Sequence, residues 1–321
     1  MIERPKSLNE FLGQERVKKI LKIAIESAKQ RKEPLDHILF YGPPGTGKTT
    51  LSMIIARELE KEIKIVSAPT IEKKGDLLAL VTSLNEGDVL FIDEIHRLNR
   101  AVEETIYSAM EDFRIDIVTG GTRAKSFSID LPKFTLIGAT TRLNLLTPPF
   151  RSRFGIVCRL ELYSAIELKE IAKTTSAKLG IRLSEGALEI LARCSRGTPR
   201  ILNQLLKRFR DYATVNNWEE IDSEKANKIL MELGIDSYGL DPMDRKILKT
   251  IAETFKGGPV GLTTLATVLK EDIDTIENVH EPYLIELGLI VKTPRGRKIT
   301  SKALKFLGLT YNKESPLFGD S

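Results

Sequence analysis

Cysteine is almost missing from this chain. Only Cys158 and Cys194 occur among 321 residues, with no C-x-x-C pair and no Cys/His cluster. That excludes a disulfide framework and a zinc module, and it fits a reducing compartment. Histidine is as scarce, with His37, His96 and His280 scattered along the chain. Long apolar runs are missing too: a stretch such as residues 89–92 falls far short of the roughly 20 residues that span a bilayer. The opening segment, MIERPKSLNE, is charged and holds no apolar signal core. Internal repeats and low-complexity runs are lacking. These absences lead us to expect a cytoplasmic protein with no membrane segment.

What is present is a soluble globular composition, 41% hydrophobic and 29% charged, with a net charge of +5. The length suffices for about two or three domains. The mild basicity permits nucleic-acid binding, and the placement of the basic residues says more than their number.

The first half alternates helix and strand patterns. Helical periodicity covers residues 14–30, about 48–59, 76–84 and 100–111. Apolar strand runs cover 37–41, 63–66, 89–92 and 134–139. Such alternation predicts a parallel sheet covered by helices. One insert interrupts it: RIDIVTGGTRAKSFSID, residues 114–130, alternates about a Thr-Gly-Gly-Thr turn and reads as a β-hairpin. It is either a plain connector or a docking finger for another protein. After Tyr163 the pattern is helical to about Leu233, and IDSYGLDP reads as a linker. Three helical stretches and a short basic ribbon, LIVKTPRGRKIT, then spell a winged helix-turn-helix.

GPPGTGKT, residues 42–49, fits G-x-x-x-x-G-K-[ST] between a strand and a helix. Its glycines let backbone N–H groups curl around phosphate oxygens, and the helix amino end adds positive potential. Lys48 is placed for the β- and γ-phosphates and Thr49 for Mg²⁺. VLFIDEIH, residues 89–96, ends an apolar strand in two carboxylates. Asp93 would serve the metal, and Glu94 would polarise an attacking water. GATTR follows the next strand, and Thr141, rather than Thr140, is the candidate γ-phosphate sensor.

Phosphoryl transfer also needs positive charge beside the γ-phosphate. TPPFRSRFG, residues 147–155, offers Arg151 and Arg153, with Phe150 and Phe154 able to anchor the loop so that an outward arginine reaches ATP on a neighbouring subunit. RGTPR, residues 196–200, sets Thr198 as a helix cap and Pro199 at the first helical position. Arg200 then stands at the positive end of the helix dipole, a poor place for a cation unless a phosphate lies near.

Together GPPGTGKT, FIDEIHR, GATTR, RSRFG, RGTPR and GGPVGL, in this order, resemble the RuvB family of bacterial Holliday-junction branch-migration motors, members of the AAA+ class. The resemblance implies an α/β P-loop AAA+ domain over residues 1–162, a small all-helical lid over 163–236 and a C-terminal winged-helix domain over 240–312, with a tail at 313–321. It assigns ATP or ADP to Gly45, Gly47, Lys48, Thr49 and Thr50. Glu3, Arg4, Glu111, Asp112, Phe113, Tyr163, Pro199 and Arg200 are implied around the same nucleotide. Mg²⁺ falls to Thr49 and Asp93, water activation to Glu94, and γ-phosphate sensing to Thr141 and Arg200. Of the two arginines in RSRFG, the resemblance selects Arg153 as the trans-acting finger. The implied working form is a homo-hexamer around double-stranded DNA, acting on Holliday junctions in recombination and repair. The partners are RuvA, through the hairpin near residues 115–129, and RuvC in the resolving complex. GGTRAKS is about one residue shorter than the family's usual turn and carries Arg123 and Lys125; Lys292 replaces an arginine.

The third helical stretch of the winged module, EDIDTIENVHEPYLIELG, is strongly acidic and would be repelled by DNA phosphates. The following stretch, residues 292–305, is basic without an acid. Lys292, Arg295 and Arg297 are therefore expected to touch the DNA backbone without reading sequence. Two other readings compete with the motor. One is a clamp loader or other AAA+ remodeller, whose loader subunits often carry a zinc module. The other is an ATP-switched DNA-binding regulator, whose activator branch carries a GAFTGA-like loop. The chain has neither feature.

Overall fold

The computed structural model describes residues 3–119 and 125–309. Arg123 at the hairpin tip and the expected tail at 313–321 lie outside those residues. The chain packs as two bodies, one of residues up to 180 plus 197–204, the other of 181–196 and 205 onward.

The first body is built on a five-stranded parallel sheet. Its strands are β1 Ile38–Tyr41, β2 Ile63–Ser67, β3 Val89–Asp93, β6 Thr135–Thr140 and β7 Ile156–Arg159, in the order β2-β3-β6-β1-β7. The inserted β4 Arg114–Thr119 and β5 Lys125–Asp130 pair antiparallel, as the alternation in that stretch predicts. The helices are α1 Glu15–Arg31, α2 Lys48–Glu58, α3 Lys74–Thr82, α4 Arg100–Glu111, the single turn α5 Pro148–Arg151 and α6 Ala165–Leu179. Central strands β3 and β6 read as largely apolar runs without polar alternation because both faces are covered, and every residue of β6 is buried. One core packs α3 and α4 against the sheet through Leu77, Val102 and Ile106; the other packs α1 and α2 through Leu21, Ile54 and Ile55. Each such side chain stabilises the fold by about 2 kcal/mol through burial. Strand β7 was not legible in the sequence. It is an edge strand of four residues with Val157 exposed, too short and too mixed to give a pattern.

The second body holds α7 Glu185–Cys194, the later turns of α8 Pro199–Val215, and α9 Ser223–Glu232. It also holds a winged module of α10 Pro242–Lys249, α11 Leu262–Leu269, α12 Ile273–Thr275, α13 Glu281–Glu286, the ribbon β8 Ile290–Thr293 with β9 Gly296–Ile299, and α14 Ser301–Phe306. Wide π turns over Thr250–Thr254 and Ile276–His280 prolong α10 and join α12 to α13. Helix α8 begins in one body and continues in the other, so the helical stretch after Tyr163 is divided between them. Asp241 caps α10 as its position before Pro242 predicts. With Asp244 and His280 it is the one trio of possible metal ligands among the described residues. Arg196 already supplies the positive charge there, 2.9 Å from Asp241 and also paired with the fully buried Asp244. Both cysteines are buried thiols. Burial pushes Cys158 up to about 11, so it stays protonated at neutral pH.

Candidate nucleotide site and candidate DNA interface

The loop GPPGTGKT joins β1 to α2 at the carboxyl edge of the sheet. Gly45 and Gly47 hold left-handed backbone, with φ of 82° and 106°. A Cβ on Gly45 would come within 2.9 Å of the Arg200 Cβ, and one on Gly47 within 2.9 Å of the Phe11 ring. Only glycine allows the loop to lie this close to its walls. Lys48 is 7% exposed, and its Nζ donates to the carbonyls of Gly42 and Pro43 at 2.8 Å each. Burial draws its pKa down to about 8, opposed by Asp93 and Glu94 and aided by Arg200. The loop thus confines a cation that lacks a full counter-charge, which a phosphate would supply. Thr49 and Thr50 follow in the first turn of α2, half-buried.

Thr198 caps α8 through Oγ1, which accepts the Ile201 N–H at 3.4 Å. Arg200 follows, exposed, with its Cβ against the phosphate loop. Tyr163 lies beneath the loop. Its hydroxyl donates to the Thr46 carbonyl at 3.2 Å, and its N–H donates to the Gly197 carbonyl at 2.8 Å. It therefore props the loop and the sensor turn together. Pro199, between Thr198 and Arg200, is half-buried. Arg4 is exposed and meets Met53 of α2 at 3.1 Å, while Glu3 is exposed and paired with Lys6.

Asp93 closes β3, and its Oδ1 accepts the Glu94 N–H at 3.0 Å. Glu94 has φ of 51°, a left-handed turn that swings its carboxylate off the strand line. Thr140, at the end of β6, is fully buried, and its hydroxyl bonds His96 and the Arg142 N–H. Thr141 is half-buried one position further on. Thr140 is thereby committed within the fold, which leaves Thr141 as the hydroxyl for a ligand.

The remaining expected residues gather at the opposite edge of the sheet. His37 stands just before β1; its Nε2 donates to the Met110 carbonyl at 3.1 Å, and its Nδ1 accepts the Leu136 N–H at 2.9 Å. Burial lowers the basicity of this ring, so it is neutral at pH 7 and suited to both roles. The end of α4 is thereby pinned to the amino ends of the strands. Phe113 packs on His37 and Phe134. Arg153 stands on the same edge, since the Ile156 N–H donates to the His37 carbonyl at 3.1 Å. From His37 to the phosphate loop is a strand length of roughly 16 Å. Glu111, Asp112 and Phe113 therefore stand at the amino edge of the sheet, away from the phosphate loop of their own chain. The structure brings Glu111 to Arg153 instead, 3.2 Å apart.

Arg153 also departs from expectation in its pose. It does not project outward. Its guanidinium lies over the Tyr107 ring, 4.5 Å from the centroid, and its Nη1 donates to the Pro149 carbonyl at 2.8 Å. Cation–π attraction and the Glu111 charge hold it 22% exposed. Phe150 and Phe154 are buried as anchors, in line with the sequence reading. No periodicity links Tyr107 to Arg153, so this platform was invisible in the sequence. His96, two residues after Glu94, was legible by position but not by role.

Family models match almost end to end. The RuvB P-loop domain model, described as that of the Holliday junction DNA helicase RuvB, covers residues 3–160; the RuvB AAA lid model covers 163–236 and the RuvB C-terminal winged-helix model 237–308. The chain belongs to the RuvB family. It is an ATP-hydrolysing motor of the Holliday-junction branch-migration type, with a P-loop AAA+ domain, a lid and a winged helix. It is similar to the Thermotoga maritima RuvB branch-migration motor, at 51% identity over 96% of this chain and 99% of that one, with a TM-score of 0.89. A proline-to-glycine mutant of the same Thermotoga RuvB gives 52% identity, 97% and 100% coverage and a TM-score of 0.90.

In this RuvB-family chain the wing is split in its exposure. Arg295 at the turn is exposed, and Lys292 is exposed, 3.4 Å from Glu281. Arg297 is 8% exposed, and its Nε and Nη2 donate to the two carboxylate oxygens of buried Glu281 at 2.7 and 3.1 Å. The fork of Arg297, expected with Lys292 and Arg295 to touch DNA, is closed on α13 within the module. Arg295→Ala is expected to weaken duplex binding alike on unrelated sequences and to reduce the log–log salt slope by about one. Arg297→Ala should instead destabilise the module by about 3 kcal/mol, because buried Glu281 loses its two-pronged partner and keeps only the longer contact with exposed Lys292. Salt-dependent DNA titration and denaturant unfolding of both variants separate the two roles. A lower slope with unchanged stability for Arg297→Ala would reverse them.

Proposed function

We propose that the chain works as a hexameric ring on double-stranded DNA in which ATP bound by one subunit is completed by Arg153 of the next. The observation that carries this is the separation of Arg153 and Glu111, at the amino edge of the sheet, from Lys48 at the carboxyl edge. One subunit cannot bring both to one phosphate. In a ring, one subunit's amino edge faces the other's phosphate loop.

Lys48 and Arg200 bind the β- and γ-phosphates, Glu94 polarises the water, and Thr141 contacts the γ-phosphate. Two hard oxygen donors, Thr49 and Asp93, stand at the loop and strand end in a set that suits Mg²⁺. These residues would hold the ion, and it would supply positive charge against the phosphates. Glu111 and Asp112 lie beside the neighbour's nucleotide with Arg153. Arg4, Tyr163 and Pro199 line the nucleotide in the same subunit, with Glu3 at its rim. Lys292 and Arg295 track DNA phosphates. The hairpin of β4 and β5 docks RuvA, with Phe127 exposed on it, and RuvC joins in the resolving complex. Among the described residues no helix is long and apolar enough to cross a membrane, and we place the protein in the cytoplasm.

A synthetic four-way junction with ATP and Mg²⁺, with and without RuvA, tests the proposal. Separation into two duplexes that needs ATP and is lost in Arg153→Ala is the expected result. ATP hydrolysis without junction movement, even with RuvA, would sink it and favour a remodeller or switch.

A further inference from the structure

Between the water-polarising carboxylate and the sensor strand stands one more side chain. The His96 ring is 6% exposed, with Nε2 3.3 Å from Glu94 Oε2. Its Nδ1 is 2.9 Å from Thr140 Oγ1. Thr140 Oγ1 in turn accepts the Arg142 N–H at 2.9 Å. All four groups belong to the first body.

The direction of this chain follows from the chemistry of its ends. An ionised carboxylate only accepts hydrogen bonds, so the ring nitrogen facing Glu94 carries a proton. In a neutral imidazole Nδ1 is then an acceptor, and the Thr140 hydroxyl donates to it. Burial lowers the basicity of the ring, Glu94 opposes this, and Arg142 and Arg97 add to it, so the neutral form prevails at pH 7. Hydrogen bonds therefore run from the Arg142 N–H through the Thr140 hydroxyl to the His96 ring, whose far nitrogen lies 3.3 Å from the Glu94 carboxylate. Glu94 itself is 36% exposed, so it has room to turn.

We infer that His96 is a positioning residue for ATP hydrolysis, holding the Glu94 carboxylate and tying its placement to Thr140, the last residue of the strand that leads into Thr141. Movement of that strand end when Thr141 meets a γ-phosphate reaches Glu94 through the Thr140–His96 hydrogen bond and the 3.3 Å contact of His96 with the carboxylate. The inference rests on the reading of Glu94 as the group that polarises water.

Three variants of the full chain, assembled on duplex DNA, test it. His96→Gln places an amide N–H near the position of Nε2 and keeps the donor to Glu94. His96→Asn is shorter and reaches only toward Thr140. Thr140→Val removes the hydroxyl at equal size. We expect His96→Asn to lower kcat about thirtyfold, a loss on the scale of a misplaced general base, with KM within about twofold. His96→Gln should recover kcat to within about threefold of the parent, and Thr140→Val should fall between the two. Equal losses for Gln and Asn, an unchanged kcat in Asn, or a KM that rises as kcat falls would each overturn the inference. If His96→Asn does not fold, the comparison of His96→Gln with Thr140→Val still decides, because a positioning role predicts the lower kcat for Thr140→Val. Glu94→Gln separates the two levels. Full hydrolysis by Glu94→Gln overturns the reading of Glu94 and this inference with it; a dead Glu94→Gln beside unaffected His96 variants overturns this inference alone.

Discussion

Replacing Arg153 with alanine is expected to slow ATP hydrolysis on DNA by about a thousandfold, the scale of a lost arginine finger. ATP affinity of the subunit without DNA should stay within about twofold, because Arg153 is remote from its own phosphate loop. The sharper test is a mixture. Lys48→Ala subunits lack a working phosphate loop but keep the finger; Arg153→Ala subunits keep the loop but lack the finger. Neither hydrolyses alone. Where an Arg153→Ala subunit presents its loop to the Arg153 of a Lys48→Ala neighbour, the site is whole. Mixed assemblies should therefore regain hydrolysis that neither parent has. A finger acting within its own subunit predicts none, and a mixture as inactive as its parents would refute the trans assignment. The pose of Arg153 on Tyr107 adds a corollary. Glu111 and the ring hold the guanidinium in place; if Arg153 acts on a neighbour's phosphates, Tyr107→Ala should lower kcat about tenfold through lost preorganisation. Steady-state kinetics on DNA check it.

Lys48→Ala should abolish measurable branch migration and lower kcat by about a thousandfold, because the β- and γ-phosphates lose their direct cation. The parent protein offers a test without mutation. Without nucleotide the Lys48 amine sits near 8, drawn down from 10.5 by burial. Phosphates raise it again, so ATP binds the protonated form. Below pH 8 that form is already present and affinity is flat. Above pH 8 a proton must be taken up on binding, and apparent affinity should fall by up to about tenfold per pH unit. The stability sign is opposite. The folded amine is harder to protonate than the unfolded one, so the unfolded chain binds more protons between about 8 and 10.5. Lys48 therefore destabilises the empty fold by about 3 kcal/mol at pH 7, and that penalty fades as pH rises through this window. Calorimetric titration of a non-hydrolysable ATP analogue between pH 7 and 9.5 reads the first effect. An affinity flat across that range would show the Lys48 amine unperturbed.

The pieces that carry the nucleotide chemistry were legible for local reasons. A glycine-rich turn between an apolar strand and a helix can be read from backbone sterics alone, and β1, the loop and α2 lie where the pattern places them. The Thr198 cap and Pro199 follow from the same local rules. Legibility failed where a residue's role depends on what packs against it. Glu111 and Arg153 are far apart in sequence, and only the folding of α4 and α5 onto the sheet's amino edge joins them. Arg297 sits in a basic stretch that reads as a DNA-facing turn. Its side chain nevertheless points into the module, because β9 is a two-faced strand and position 297 falls on the face against α13.

The P-loop, the parallel α/β alternation, the inserted hairpin, the helical stretch and the winged module, and with them the family, were all readable along the chain. Each is set by short-range constraints: φ limits at glycine and proline, side-chain period along a strand or helix, and the capping needs of helix ends. Which end of the sheet each charged group occupies came only from the folded arrangement. It placed Lys48 and Glu94 at the carboxyl edge and Arg153 with Glu111 at the amino edge. It closed Arg297 onto Glu281 and left Arg295 to solvent. Charge placement of this kind depends on long-range packing, since burial makes an unpaired ion costly and so fixes its partner wherever in the chain that partner lies.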